Sequence, residues 1–385
     1  MIMRHSVLGL LTATMLSGPA FAAPIQTVFT IALENHNFTQ PNPAGPPQQI
    51  FGNAAAPYIN SLVTPNNANA KYVSYFSQMT NVAPGIHPSE PNYIWQNGGS
   101  NFGVTSDADP GHAMPPSAPN SNILAQSFTG QLTQKNISWN NYQEDVQYST
   151  SPLVSASGAG PGGAPSNVTV TTNPYNGTLQ YNYAVKHNPM AFFADSSTSN
   201  VKTFDQLKTD LANNTYASYN WITPDQYNDM HSALSGGFTY TYNGVTTHFT
   251  GDQAAIAQGD NFLSIIVPEI EATTAFQNGT GMIEIWDDES EICDTSACAI
   301  PEIIISKDAI GNAFNVMELV THSGSLLTDQ EIFQTGACLL ASCGATDLSA
   351  AFLPGSIPSS VPEPASIAVL GAGLFGVGLV RRQRG

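Results

Sequence analysis

An apolar run that stops abruptly in polar side chains constrains this chain more than any other feature. Val28 to Phe38 reads VFTIALENHNF, a short hydrophobic stretch followed at once by Glu34, Asn35, His36 and Asn37. The apolar part has the length and composition of a buried strand. Polar residues crowded at the C-terminal end of a core strand suit a site, because ligands of open α/β sheets gather at that end. A plain polar turn closing the strand is the alternative. Gly281 to Asp288, GMIEIWDD, repeats the pattern and delivers Asp287, Asp288 and Glu289. A third run, 218–222, leads into Asp225, Asn228, Asp229 and His231. Carboxylates and an amide contributed by strands far apart in sequence make an oxygen-rich ligand set for a hard divalent metal ion.

Between these runs the chain alternates short apolar strands with helix-period segments. Helices are expected at 58–63, 123–132, 204–212, 259–270 and 326–333, and further strands at 72–79, 138–142 (a short strand or edge) and 301–306. Gly- and Ser-rich stretches at 149–173 and 233–250 read as surface insertions, the second a hairpin. The loop His87-Pro88-Ser89-Glu90-Pro91-Asn92-Tyr93 reads as a short helical turn. Behind it, Gly98-Gly99 permits close approach of backbone to an anion, with Ser100 as a nucleophile. Alternating elements argue for an α/β fold with a mainly parallel sheet.

Both termini read as addresses. Met1 to Ala22 has a basic start, an apolar run and a small-x-small end, the pattern of a secretory signal cut after Ala22. At the other end Val361-Pro362-Glu363-Pro364 precedes an apolar run, Ile367 to Val380, and then Arg381, Arg382 and Arg384. An apolar segment capped by a basic cluster is expected to be a transmembrane helix with the cluster on the cytoplasmic side. The tail resembles the PEP-CTERM sorting signal, which implies a membrane sorting protease as a partner and release to the periplasm, cell surface or exterior. The expected division is therefore 1–22 signal, 23–345 catalytic domain, 346–360 linker and 361–385 sorting segment.

All four Arg lie in these tags, so the core carries six Lys against 27 Asp and Glu, a net charge of about −21. Such a surface is unsuited to nucleic acid, and an anionic substrate must be held by a metal, His, Lys or backbone amides. Cys293, Cys298, Cys338 and Cys343 form two C-x4-C pairs, which in an exported protein point to two local disulfides. A cross-pairing and a zinc site are the alternatives.

Taken together, ALENHNF, HPSEPNY with GGS behind it, AVKHNPMAFF, WITPDQYNDMH, GDNFLSIIVPEI, IEIWDDE and the late THS resemble the phosphoesterase family of bacterial acid phosphatases and phosphatidylcholine-type phospholipases C. The resemblance implies an alkaline-phosphatase-like three-layer α/β/α sandwich around a mainly parallel sheet. It implies a divalent metal ion held by Glu34, Asn35, Asp287 and Asp288, Ser100 as the nucleophile, and His187, His231 and His322 around the phosphoryl group. His87, Asn188 and Asp229 follow as substrate-side residues. The implied activity is metal-dependent hydrolysis of phosphate monoesters through a phosphoserine. A phospholipase C-type phosphodiesterase and a non-catalytic surface or matrix protein that keeps the fold are the alternatives. The chain departs from the family in the stretch Trp95 to Ser100, where relatives have Ser-Gly-Ser, and in an Asp-Asp pair where Asp-Glu is usual.

Overall fold

The computed structural model describes residues 24–81, 86–110, 123–160 and 168–358. Eight strands form the central sheet: β1 (Thr27–Leu33), β2 (Val73–Phe76), β3 (Trp139–Gln143), β4 (Val201–Lys202), β5 (Tyr219–Thr223), β6 (Gly281–Asp287), β7 (Glu302–Ser306) and β8 (Phe314–Val316). Their order is β8-β2-β7-β6-β1-β5-β3-β4. All run parallel except β7, which is antiparallel to both β6 and β2. The chain returns from β6 to β7 through a disulfide loop with only a three-residue helical turn, Ser296–Cys298. That loop contains no crossover helix, so β7 enters in the opposite direction.

Central strand β1 is buried along its whole length. Phe29, Ile31 and Leu33 face one apolar layer and Val28 and Ala32 the other, as the two-residue period of a strand requires. Helices α1 (Pro57–Leu62), α4 (Phe204–Asn213) and α5 (Asp252–Glu271) cover the first face. Helices α2 (Ser89–Gly98), α3 (Phe128–Gln134) and α6 (His322–Ile332) cover the second. The architecture is the expected mixed α/β fold, with a largely parallel sheet covered on both faces.

Boundaries differ from expectation where local chemistry intervenes. The helix expected from residue 123 starts at Phe128, because Ser127 caps it by accepting from Gly130 N, while Ile123 bridges to Phe193. Strand β3 lies inside the sheet, with β4 as the edge. The expected hairpin within 233–250 pairs Phe238–Tyr242 with Val245–Phe249 and packs Phe238 and Tyr240 into the first apolar layer. The Gly- and Ser-rich insertion contributes Ala156–Ala159, paired with Gln180–Tyr183.

Two expectations are corrected. Residues 346–358, expected to lie in a linker, do not form a free one: Leu348, Ala351, Phe352 and Ile357 are buried in the second layer, and Leu353 N donates to Asp308 O. No helix among the described residues is long and apolar enough to cross a membrane, so the expected transmembrane helix is not found among them. The segment that prompted it, Ile367 to Val380, lies outside the described residues, as does the signal sequence.

The second layer also encloses carboxylates. Glu284 of β6, Glu302 of β7 and Asp329 of α6 are each about 1 % exposed. Among the described residues none of the three forms an ion pair. Thr30 and Ser325 donate to Glu284, whereas both carboxyl oxygens of Glu302 and of Asp329 have no hydrogen-bond partner. Burial, and then Glu284, push Glu302 well above the carboxylate range. A raised folded pKa adds stability in acid that is lost as pH rises above the unfolded value. Glu302→Gln is therefore expected to melt like wild type near pH 4. It should melt progressively higher than wild type at greater pH, the gap widening by up to about 1.4 kcal/mol per pH unit. Parallel melting-temperature profiles would remove Glu302 as a source of pH-dependent stability.

Candidate active site

The register of the sheet builds the site. Leu33 of β1 pairs with Asp287 of β6, so Glu34 and Asp288 leave adjacent parallel strands at the same level. Asn35 turns the chain there in the left-handed region, at φ 55°. Its N–H donates to Asp288 Oδ1 at 3.2 Å, and Glu34 N–H donates to Asp229 O at 2.8 Å beyond the end of β5. Only acceptors face one side of the Asn35 amide. Its NH2 group therefore points that way, 3.1 Å from Glu291 Oε1 and 3.2 Å from Glu34 Oε2.

Helix α2 aims its N-terminus into this cluster. Ser89, its first residue, donates from Oγ to Glu34 Oε2 at 3.0 Å and lies 3.3 Å from Glu289 Oε1. The helix dipole favours an anion at this end; of the first-turn amides, Pro91 has no N–H and Glu90 N–H donates to Asp107 Oδ1 at 3.0 Å, which leaves that of Ser89. Ser100 lies at the other end. A helix of this length is about 15 Å long, and Ser100 Oγ accepts from Phe102 N–H just past the Gly99 turn. The structure thus does not bring Ser100, the expected nucleophile, to the carboxylates; the hydroxyl there is that of Ser89, which sequence reasoning passed over. A Ser after His-Pro at the head of a helix was the available signal.

Three more predicted residues join Glu34, Asn35, Asp287 and Asp288. His187 sits with Nε2 2.9 Å from Glu34 Oε1 and Nδ1 3.2 Å from Asp229 Oδ2, and stacks on Tyr93 at 5.0 Å. Asp229 Oδ1 accepts from His231 N–H at 2.8 Å, which fixes the backbone carrying the second imidazole. His231 Nε2 is 3.4 Å from Lys186 Nζ, and Lys186 pairs with Asp107 at 3.0 Å. Burial lowers His231 to about 4, so its ring is neutral at pH 7. Burial also pulls on Lys186, but Glu34 and Asp107 outweigh it and raise its pKa. Lys186 stays an ammonium.

His322, the first residue of α6, lies behind Asp287, with Nε2 3.0 Å from the Asp287 carbonyl. Burial lowers it to about 3. His87 stands half exposed at the rim, 2.7 Å from Glu289. Asn188 is not brought to the site. It accepts from Asn141 and donates to Tyr183 within the fold, a supporting contact behind His187. The disulfides are local, Cys293–Cys298 and Cys338–Cys343, which removes the cross-pairing and zinc alternatives for these thiols.

The centre is dominated by buried, unpartnered oxygens. Among the described residues both oxygens of Asp287 and Asp288 Oδ2 have no hydrogen-bond donor, while Glu34 Oε1 and Asp229 Oδ2 face the His187 ring. Burial first, and then Glu34, raise Asp287 and Asp288 well above the usual range. Burial likewise raises Glu34. Carboxylates this close and this dry need either protons or a cation. Among the described residues no three His, Cys, Asp or Glu side chains already form a finished ligand set. The oxygen donors of Glu34, Asn35, Asp287 and Asp288 nonetheless fit a hard divalent ion in chemistry, and both oxygens of Asp287 and Asp288 Oδ2 are without other partners among the described residues.

Residues 63–247 match the phosphoesterase family and residues 360–383 the PEP-CTERM protein-sorting motif. An acid phosphatase of Aspergillus fumigatus is 32% identical over 159 residues, 40% of this chain and 30% of that protein. A probable acid phosphatase of Kluyveromyces lactis is 30% identical over 158 residues, 40% of this chain and 31% of that protein. The chain thus spans about a third of the length of these relatives. A phosphatidylinositol-3-phosphatase of Mycobacterium tuberculosis is 24% identical over 286 residues, 74% of this chain and 72% of that protein. A solved alkaline phosphatase superfamily protein from Vibrio parahaemolyticus superposes with a TM-score of 0.47 at 10% identity, over 83% of this chain and 68% of that one.

Crowded buried carboxylates trade stability for a site. The penalty at Glu34 is absent in acid and grows as pH rises, because its folded pKa lies above its unfolded one. In the presence of a chelator, Glu34→Gln is expected to stabilise the protein at pH 7 by about 1 kcal/mol or more and to leave it unchanged near pH 4. Denaturant titration at the two pH values measures this. A loss at pH 7 would contradict it.

Proposed function

Since the chain carries a phosphoesterase-family domain ahead of a PEP-CTERM sorting tail, we propose that it is an exported phosphoesterase that hydrolyses phosphate monoesters through Ser89. The observation that carries this reading is the Ser89 hydroxyl at the N-terminus of α2, 3.0 Å from Glu34 within a wall of buried carboxylates. The PEP-CTERM motif supports export and a surface or extracellular location, and implies processing by its sorting system. We assign that processing to a membrane protease acting on the tail, and the mature enzyme to residues from 23 onward.

In this mechanism the phosphoryl group lies over Ser89, where the positive end of the α2 dipole, the Ser89 N–H and the Lys186 ammonium face its oxygens. Glu34 accepts the Ser89 hydrogen bond, orients Oγ for in-line attack and takes its proton as the Oγ–P bond forms; the ester P–O bond breaks, and the departing oxygen leaves as the alcohol with that proton. His231, neutral and held beside Lys186, takes a proton from the water that then cleaves the phosphoserine. His187 and Asp229 hold Glu34 and the His231 backbone in register. Glu34, Asn35, Asp287 and Asp288 would hold a divalent cation, which when bound would supply Lewis-acid neutralisation of phosphoryl charge.

The monoester assignment rests on charge. A monoester dianion needs a fixed cation, and Lys186 provides one in a core without Arg. The acid phosphatases and the phosphatidylinositol-3-phosphatase among the relatives carry names of the same kind.

Hydrolysis of an aryl phosphate by the mature chain tests the assignment. Ser89→Ala is expected to lower kcat by about 10³-fold or more, and Ser100→Ala to retain it within about threefold. Chelation should abolish turnover and a divalent ion restore it. Lys186→Ala should raise KM for a monoester about tenfold and affect a diester less. Full activity in Ser89→Ala would remove Ser89 from the chemistry, and equal losses on both ester classes would remove the role given to Lys186.

A further inference from the structure

The disulfide loop after β6 reaches back to the nucleophile. Asp294 lies within the loop closed by Cys293–Cys298, and its Oδ1 is 2.9 Å from His87 Nε2. The other ring nitrogen, Nδ1, is 2.7 Å from Glu289 Oε2. Glu289 in turn lies 3.3 Å from Ser89 Oγ, which donates to Glu34, and accepts from Asn92 Nδ2 at 3.3 Å. A chain of contacts therefore runs Asp294–His87–Glu289 and ends on the first turn of α2. Each ring nitrogen of His87 has its own acceptor, so the ring cannot turn without losing one of them. Glu289 braces both Ser89 and Asn92, and His87 holds Glu289 from the rim.

The loop has the anchorage this role requires. Ser290 Oγ donates to Cys293 O at 2.7 Å, and Cys298 is fully buried. The next residue, Ala299, accepts from Phe38 N–H and Thr39 N–H on the segment that follows β1. One end of the loop is thus fixed to the floor of the site. Residues 294–297 are exposed, and the disulfide ties them to that fixed end.

We propose that Asp294, held by the Cys293–Cys298 disulfide, is a positioning residue for Ser89 that acts through His87 and Glu289. The proposal rests on the reading of Ser89 as the nucleophile. Asp294 and His87 are 39% and 43% exposed at the side chain, so their pairing adds little to global stability. Its effect is on orientation, where an error of an ångström costs far more in rate than in folding energy.

The test pairs turnover of an aryl phosphate with hydrogen exchange of the full mature chain. Asp294→Ala is expected to lower kcat about tenfold with KM within about twofold and an unchanged melting temperature. Asp294→Asn should recover most of kcat, since its amide oxygen still accepts from His87. The double variant Cys293→Ser/Cys298→Ser should mimic Asp294→Ala, while Cys338→Ser/Cys343→Ser should not. Amide exchange over the first turn of α2 should rise in Asp294→Ala and stay constant in the central sheet. Unchanged kcat in Asp294→Ala overturns the proposal, as do unchanged exchange at α2, equal losses from both disulfide variants, and a loss in Asp294→Asn equal to that in Asp294→Ala with a matching drop in melting temperature. A wild-type chain inactive on every ester would sink the phosphoesterase reading, yet the exchange measurement would still decide whether the loop braces α2.

Discussion

Carboxylates kept out of water at the ends of two parallel strands govern this structure. Glu34, Asp287, Asp288 and Asp229 are fully buried, and Lys186 is the ammonium that faces them. Each ionised carboxyl in such a place costs several kcal/mol unless hydrogen bonds or a cation compensate. The surrounding parts can be understood as that compensation. The Asn35 amide and the Ser89 hydroxyl donate to Glu34, Asn35 N–H donates to Asp288, and His187 lies between Glu34 and Asp229. The parallel register of β1 and β6 makes the arrangement possible, since it places Glu34 level with Asp288. A shift by one residue would turn Leu33 out of its apolar layer and move Glu34 to another level.

The buried trio Glu284, Glu302 and Asp329 is an instructive contrast. It uses the same residue types, at the same depth, with the same unpartnered oxygens. It lies beneath α6, whereas the Glu34 cluster lies at the strand ends, against the N-terminus of α2. Burial raises the pKa values in both places, so a raised pKa does not identify a site. Hydroxyls donate to carboxylates in both places; what separates the two is a helix N-terminus and an ammonium within reach, and both belong to the Glu34 cluster.

The strand-end residues were legible in the sequence because a buried apolar run seldom stops in clustered charge unless that charge has something to hold. Glu34, Asn35, Asp287, Asp288, Asp229 and His231 follow from that pattern, and the structure brings them together. Ser89 was hidden by its neighbours. Two prolines made the segment look like a turn, whereas Pro88 precedes the helix and Pro91 falls in its first turn, where a missing N–H costs nothing. Gly98-Gly99-Ser100 looks like an anion loop in sequence, yet its glycines end the helix: Gly99 takes the left-handed C-cap, at φ 71°. Asn188 was equally opaque, since its contacts to Asn141 and Tyr183 come from distant segments. The same holds for the packed residues 348–357, whose sparse apolar pattern resembles a linker until Asp308 and the second layer are in place.

The central claim is that Ser89 carries the phosphoryl group. The most direct measurement is to quench the mature chain in acid during turnover of a phosphate monoester and map the phosphorylated peptide by mass spectrometry. The account predicts phosphate on Ser89, at the head of α2. Phosphate on Ser100, or on any residue away from the carboxylates, would contradict it.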